Sequence, residues 1–173
     1  MSRKINCGKS HGHFGQYGAA GLLIHRYRDT GEVEILLCRR ARHTDDEGLW
    51  GTIGGAIIPG ETVHECALRE VEEEIGIKAG DICIPTAQTT DDHGTWKYTT
   101  IFATPAEGLQ IPDLTLNRAE LSEVSWISRQ ELQNYILHPA FENWIYDLLD
   151  ILLPPDIDPQ TRSIVRPSKL KKR

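Results

Sequence analysis

Hydrophobic and polar positions along the chain predict β-strands on both sides of one strongly amphipathic helix. Short apolar stretches bounded by Gly, Pro, Asn or Asp are typical of strands, and they cover residues 17–26, 32–39, 50–58, 81–89, 97–104 and 121–127. Helical spacing of apolar residues predicts helices over 63–75, 128–136 and 141–152. Strands that flank an internal helix and precede a terminal helix are typical of a mixed sheet packed between helices, an α/β architecture.

The helix over 63–75 has recognisable start and stop signals. Thr62-Val-His-Glu65 has the form of a capping box, in which the Thr side chain and the Glu side chain each satisfy a backbone amide. Gly76 is placed to end the helix in the left-handed conformation. One apolar stripe faces the core and consists of Ala67, Leu68, Val71 and Ile75.

Three carboxylates share one face of this helix. Glu70, Glu73 and Glu74 stand at positions i, i+3 and i+4, whereas Glu72 points elsewhere. Crowded carboxylates repel one another unless a cation neutralises them, and their hard oxygen atoms suit Mg²⁺ or Mn²⁺. An acidic face that serves only solubility is the alternative.

The segment 55–77 resembles the Nudix box without departure. The box reads Gly, five residues, Glu, seven residues, Arg-Glu-apolar-x-Glu-Glu-x-Gly-apolar, and its fixed positions are filled by Gly55, Glu61, Arg69, Glu70, Val71, Glu73, Glu74, Gly76 and Ile77. Segments 18–24, 35–40 and 49–55 are similar to the strands before the box in MutT-like members, so the resemblance covers roughly residues 13–150. It implies a Nudix-type α/β/α sandwich with a mixed sheet packed between helices.

The resemblance also implies a metal-dependent hydrolysis. Nudix hydrolases cleave a nucleoside diphosphate linked to another group, with Mg²⁺ or Mn²⁺. By position, the implied metal ligands are the carbonyl of Gly54 and the carboxylates of Glu70, Glu73 and Glu74. Arg69 with Glu61 is implied to orient these carboxylates, and Glu120, six residues before Trp126, matches a further metal-binding glutamate of MutT-like enzymes.

The base that activates water stays open between several groups. Glu70 and Glu120 come first, because a carboxylate beside the metal is close to the attacking water. The loop residues Asp91, Asp92 and His93 reach the site only if the loop folds over it, although His93 has a suitable intrinsic pKa.

Candidates for substrate binding lie outside the box. Trp96, Tyr98 and Phe141 are candidates for stacking a nucleobase, because aromatic faces bind bases with little selectivity. Arg40 and His93 are further candidates. ADP-ribose, dinucleoside polyphosphates, capped RNA and modified nucleoside triphosphates all remain open as substrates.

Length, charge and cysteine usage set the wider limits. The 173 residues fit one domain, which we divide into a flexible lead-in over 1–12, a Nudix domain over 13–153 and a disordered basic tail over 154–173. A net charge of −6 argues against nonspecific nucleic-acid binding. No apolar run is long enough to span a membrane and the start lacks the apolar core of a signal peptide, so we expect a cytoplasmic protein with reduced cysteines. The oligomeric state is open, with a homodimer among the alternatives.

Cys7 and His11 in the lead-in, with His13 directly after it, offer sulfur and nitrogen ligands to a transition metal. The surrounding glycines and polar residues favour a flexible segment over a metal site.

Two other functions compete with hydrolysis. Some Nudix domains bind a nucleotide and regulate a partner, but such domains commonly lose box carboxylates, all of which are present here. An isomerase on the same fold would need a nucleophilic cysteine, for which only Cys66 or Cys83 is available.

Overall fold

The computed structural model describes residues 5–7, 11–83, 87–106 and 114–152. Within these ranges the chain forms ten strands, three α-helices and two short 3₁₀ helices. The strands are β1 Ile5–Cys7, β2 His11–His13, β3 Ala19–Tyr27, β4 Val33–Arg40, β5 Trp50–Gly51, β6 Ile53–Ala56, β7 Ile82–Cys83, β8 Gln88–Asp92, β9 Lys97–Pro105 and β10 Leu121–Ser128. The α-helices are α1 Val63–Ile75, α2 Pro139–Glu142 and α3 Ile145–Leu152, and the 3₁₀ helices span Ala79–Asp81 and Glu131–Asn134.

The main sheet is mixed, as predicted. Its central order is β10-β4-β3-β9-β7, with β5 paired to β4, β6 paired to β3 and β8 paired to β9. Strands β3 and β9 run parallel, and the other pairs are antiparallel. A separate two-stranded sheet joins β1 to β2.

Alternate residues of the central strands point to two cores, one on each face of the sheet. Leu22 and Ile101 are paired across β3 and β9 and belong to the core that also holds the apolar stripe of α1. Their neighbours Leu23 and Phe102 belong to the second core, which holds the apolar residues of α3. A helix therefore covers each face, which confirms the predicted sandwich of helices around a mixed sheet.

Helix α1 begins and ends where the sequence predicts. The Thr62 hydroxyl accepts a hydrogen bond from the Glu65 amide, and the Glu65 carboxylate accepts one from the Thr62 amide. Gly76 ends the helix with φ 74°, a left-handed conformation that glycine adopts at little cost. Residues at its two ends therefore set where the helix begins and stops, and this register determines the directions in which its carboxylates point.

Three predicted elements differ in the structure. The strand predicted over 81–89 is divided into β7 and β8, with residues 84–86 outside the described part. The helix predicted over 128–136 is only a 3₁₀ turn, because Tyr135 returns to an extended conformation. The helix predicted over 141–152 is two helices in the structure, α2 and α3, which Asn143 and Trp144 separate.

The amino-terminal segment also differs from the flexible lead-in that we predicted. Residues Ile5–Cys7 and His11–His13 pair as antiparallel strands, and the Cys7 side chain is fully buried. The predicted basic tail lies outside the described residues. Within the described part, none of the helices has both the length and the apolar character needed to cross a membrane.

Candidate active site

The site is built where strand β6 lies under helix α1. Strand β6 is antiparallel to β3, with Gly54 opposite Gly21 and Gly55 opposite Ala20. A Cβ atom on Gly54 would lie 2.6 Å from the Gly21 Cα atom, and a Cβ atom on Gly55 would overlap the Glu70 carboxylate. Glycine at these two positions therefore lets β6 approach β3 and lets Glu70 approach β6.

Arg69 connects the carboxylates of this region. Its Nε and Nη2 atoms donate to the two oxygens of Glu61 at 2.8 and 3.1 Å, a bidentate ion pair. Its Nη1 atom donates to Glu70 at 2.7 Å and to Glu73 at 3.3 Å. Its Nη2 atom also donates to the carbonyl of Ala56 at the end of β6. The Arg69 guanidinium thus links Glu61 in the box, Glu70 on helix α1 and the end of strand β6.

This network changes the pKa of Glu61. Hydrogen bonding to Arg69 holds the pKa of Glu61 below its usual value. The same interaction raises the pKa of Arg69, so the pair stays charged over the range of ordinary pH.

Glu74 is the most buried carboxyl group of the cluster. Its side chain is 3% exposed, and burial, together with the nearby charges of Glu120 and Glu70, raises its pKa to about 8. Arg40, whose Nη1 atom lies 3.5 Å from Glu74 Oε1, opposes this shift. Burial also raises the pKa of Glu70, although Arg69 acts in the other direction. Negative charge at this site is therefore only partly compensated by protein cations.

Glu120 lies next to Glu74, and the turn that carries it is docked on the end of α1. The amide of Thr115 donates to the carbonyl of Ile75, and the amide of Asn117 donates to the carbonyl of Glu74. The Asn117 side chain then donates to Glu120 Oε1 at 3.1 Å. The carboxyl group of Glu120 lies close enough to Glu74 to raise its pKa. Sequence reasoning missed Asn117, because its role depends on contacts between distant segments.

The donor set suits a hard divalent cation. Carboxylates of Glu70, Glu74 and Glu120 interact electrostatically, and Glu73, with 57% of its side chain exposed, lies beside them on the same helix face. Oxygen donors with uncompensated negative charge are what Mg²⁺ and Mn²⁺ prefer. The residues therefore fit such an ion, while their individual roles stay predictions.

The structure places two of the five candidate substrate-binding residues near the box and the other three elsewhere. Arg40, at the end of β4, is brought to the box through its contact with Glu74. The hydroxyl of Tyr98 lies close to Gly21 and Gly54, and its pKa is raised to about 12 by burial. Tyr98 thus borders the strand that carries the predicted carbonyl ligand, and Arg40 borders the carboxylates of α1.

The remaining three candidates lie elsewhere. Trp96 is 6% exposed and stacks on His13, so its ring offers no open face to a base. Both ring nitrogens of His93 contact groups outside the box, namely Cys7 and His13 on one side and Asp91 on the other. Phe141 packs against the core that α3 covers, on the opposite face of the sheet from α1. The structure does not bring these three residues to the carboxylates, and their part in substrate binding stays a prediction.

Comparisons with known proteins identify the same family that the Nudix box indicates. A family model described as the NUDIX domain matches residues 17–150. A Mycobacterium tuberculosis protein provisionally named 8-oxo-dGTP diphosphatase 3 is 36% identical over 136 residues, which cover 75% of this chain and 60% of that protein. The chain therefore spans less than two thirds of that relative. The CTP pyrophosphohydrolase of Escherichia coli is 31% identical over 62% of this chain and 76% of its own length.

Solved structures share the same fold. The crystal structure of the Nudix hydrolase RenU from M. smegmatis superposes with a TM-score of 0.75 and 28% identity, covering 87% of this chain and 94% of RenU. The binary complex of the C. elegans Ap4A hydrolase gives a TM-score of 0.62 at 21% identity, covering 78% and 97% of the two chains, and at that identity it supports the fold alone. Because the family model covers most of the chain and the box is complete, the chain belongs to the Nudix family.

Proposed function

We propose that the protein is a divalent-metal-dependent pyrophosphohydrolase that cleaves nucleoside triphosphates into a nucleoside monophosphate and pyrophosphate. The observation that carries this proposal is the cluster of Glu70, Glu74 and Glu120, whose partly buried carboxyl groups interact electrostatically, with Glu70 packed against Gly55. A buried set of carboxylates with incomplete compensation is unfavourable without a cation. The same carboxylates provide oxygen ligands that can bind such a cation.

Phosphoric anhydrides react slowly because their negative oxygens repel nucleophiles and because the leaving phosphate carries charge. A divalent ion, when bound, neutralises these oxygens and makes water a better nucleophile. We assign the carbonyl of Gly54 and the carboxylates of Glu70, Glu73, Glu74 and Glu120 to the binding of that ion. Arg40 lies at the edge of the cluster, where its guanidinium can donate to a phosphate oxygen.

Within this proposal Glu70 is the base. Arg69 donates to Glu70 Oε1, so Oε2 is the atom that we assign to accept the proton from water. Burial raises the pKa of Glu70, which makes it a better proton acceptor than an exposed glutamate. Arg69 also holds the carboxylate in one direction, which lowers the cost of reaching the reactive geometry.

The choice of a triphosphate rests on two relatives. One is provisionally named an 8-oxo-dGTP diphosphatase and another is named a CTP pyrophosphohydrolase, and both names refer to nucleoside triphosphates. The isomerase alternative is not favoured, because burial raises the pKa of Cys66 to about 11 and its thiol lies 3.5 Å from the carbonyl of Gly55. A thiol with that pKa is protonated at neutral pH and is a weak nucleophile.

The test is a substrate panel with product identification. 8-oxo-dGTP, dGTP, CTP, ADP-ribose and diadenosine tetraphosphate are incubated with the purified protein, with Mg²⁺, with Mn²⁺ and without added metal, and the products are identified by mass. We expect a monophosphate and pyrophosphate from one or more triphosphates, only when metal is added. Turnover of ADP-ribose alone would contradict the triphosphate proposal, and turnover of none of the five would contradict the hydrolase proposal.

A further inference from the structure

A second cluster of titratable side chains lies away from the box, where the hairpin of β1 and β2 packs on the turn between β8 and β9. Cys7 in β1 is fully buried. His13 in β2 stacks on Trp96 with ring centroids 3.8 Å apart and an interplanar angle of 7°. The Trp96 indole also donates to the carbonyl of Phe14 at 2.9 Å. The hairpin is therefore held in one position against the main sheet.

Three ligand-type atoms converge at this contact. His13 Nε2 lies 3.1 Å from Cys7 Sγ and 3.1 Å from His93 Nδ1, while Cys7 Sγ lies 3.6 Å from His93 Nδ1. Among the described residues, these are the three metal-ligating side chains whose donor atoms all lie within 4.8 Å of one another. The residues come from three separate segments of the chain, so the fold assembles the group.

These spacings match those of a tetrahedral zinc site. Zinc bonds of about 2.0 Å to nitrogen and about 2.3 Å to sulfur, at tetrahedral angles, place two nitrogens roughly 3.3 Å apart and a nitrogen and a sulfur roughly 3.6 Å apart. The observed separations are within about half an ångström of these values. One thiolate with two imidazoles is also a donor set that suits Zn²⁺ better than Mg²⁺.

The ring nitrogen of His93 that points away from the cluster contacts a carboxylate, as is typical of a metal-binding histidine. Its Nε2 atom lies 2.7 Å from the carboxylate of Asp91, and the side chain is only 13% exposed. A carboxylate in this place keeps the proton on Nε2, so the lone pair of Nδ1 points to the cluster. The carboxylate also makes the imidazole a stronger ligand.

We propose that Cys7, His13 and His93 bind one Zn²⁺ ion, with Asp91 orienting His93, and that the ion fastens the amino-terminal hairpin to the β8–β9 turn. This site is separate from the carboxylate site of the box, since its ligands are nitrogen and sulfur and lie on other elements. Binding releases the thiol proton of Cys7 and stabilises the folded hairpin by mass action.

Zinc content and cobalt spectroscopy test the proposal on the full-length protein. After addition of Zn²⁺ and extensive dialysis against buffer with Mg²⁺, we expect about one zinc per chain by elemental mass spectrometry. Replacement of the zinc by Co²⁺ should give the charge-transfer band of a thiolate ligand and the visible bands of tetrahedral cobalt. Absence of both the retained zinc and the charge-transfer band in the wild-type protein would overturn the proposal, without requiring any variant to fold.

Variants locate the ion. Cys7→Ser and His93→Gln should lose the retained zinc, and Asp91→Asn should weaken zinc binding by about 10-fold to 100-fold. Two controls should keep it: His64→Gln, which changes an exposed histidine, and Glu74→Gln, which changes the box. Equal zinc in Cys7→Ser and wild type would place the ion elsewhere and overturn the assignment, as would loss of zinc in Glu74→Gln.

Discussion

At the scale of single residues, Glu74 stands out because its carboxyl group is buried among other carboxyl groups. It is almost completely buried, the nearby carboxyl group of Glu120 raises its pKa, and Arg40, a cationic neighbour that opposes this shift, lies 3.5 Å away. A carboxyl in that environment is retained at a cost in stability, because its charged form is poorly solvated. We infer that Glu74 is kept for its function at the site.

The first prediction is that Glu74→Gln slows turnover by roughly 10²-fold to 10⁴-fold while the fold is retained. The amide has the shape of the carboxyl group but lacks its charge, so the substitution removes a metal ligand and leaves the packing. Steady-state kinetics with circular dichroism measures both effects. Glu72→Gln, which changes the exposed neighbour, should keep wild-type turnover; near-wild-type activity of Glu74→Gln would remove Glu74 from the site.

The second prediction concerns pH and stability without added divalent ions. The pKa of Glu74 is raised from 4.5 to about 8 in the folded protein, so the folded state binds more protons than the unfolded state within that window. Glu74 therefore makes the free energy of unfolding decrease as pH rises from about 4.5 to about 8. Thermal melts across this range should show the decrease in wild type and a weaker one in Glu74→Gln. The same slope in both proteins would contradict the assigned environment.

At the scale of elements, the site depends on how Arg69 joins the segment before α1 to the helix. The guanidinium makes a bidentate pair with Glu61, which is 9% exposed, and also holds Glu70 and the end of β6. Removing it leaves the nearly buried carboxylate of Glu61 without this ion-pair partner.

The third prediction is that Arg69→Ala lowers both stability and activity. We expect a loss on the order of 2 kcal/mol in the free energy of unfolding, because charged hydrogen bonds to Glu61 and Glu70 are broken. Chemical denaturation and kinetics measure the two effects, and Arg42→Ala, at an exposed position, is the matched control. An inactive Arg69→Ala with wild-type stability would instead favour a direct contact between Arg69 and a phosphate.

The fourth prediction concerns the turn that ends at Glu120. Glu120→Gln should lower the rate and raise the Mg²⁺ concentration needed for half-maximal activity, because a carboxylate next to Glu74 is lost. Asn117→Ala should have a smaller effect in the same direction, because Asn117 only positions Glu120. Glu123→Gln should change neither quantity, since Glu123 is exposed and 3.8 Å from Arg39. An equal effect in Glu123→Gln would show a general loss of negative charge.

Helix α1 could be predicted from sequence because its signals are local. Thr62, Glu65 and Gly76 act within a few residues of one another, and the capping box and the left-handed end are both present. The contact of Glu120 with Glu74 could be suggested only by resemblance, because it depends on Asn117 and Thr115 docking on the end of a distant helix.

Burial of the aromatic residues could not be predicted in the same way. Trp96 stands at the edge of a polar loop in the sequence, which indicates exposure, yet the distant amino-terminal hairpin covers it through His13. The break between α2 and α3 carries no Pro or Gly, so periodicity alone extended one helix across it. Non-local packing decides both cases.

At the scale of the whole molecule, two sets of metal-ligand side chains lie on different elements of the fold. Oxygen donors gather where α1 lies on β6, and the sulfur and nitrogen donors gather where the amino-terminal hairpin meets the β8–β9 turn. Hard and soft donor sets at different places can take different ions from the same solution. We therefore expect Mg²⁺ or Mn²⁺ to control turnover and Zn²⁺ to control the order of the hairpin.

The fifth prediction tests the central claim, that the carboxylates of α1 and Glu120 hold the divalent ion. Mn²⁺ is titrated into wild-type protein, Glu74→Gln, Glu120→Gln and Glu72→Gln, and electron paramagnetic resonance measures the free ion. We expect the Kd of wild type to be kept in Glu72→Gln and raised at least about tenfold in Glu74→Gln and Glu120→Gln, a cost of about 1.4 kcal/mol or more. Unchanged Mn²⁺ affinity in both of these variants would contradict the account.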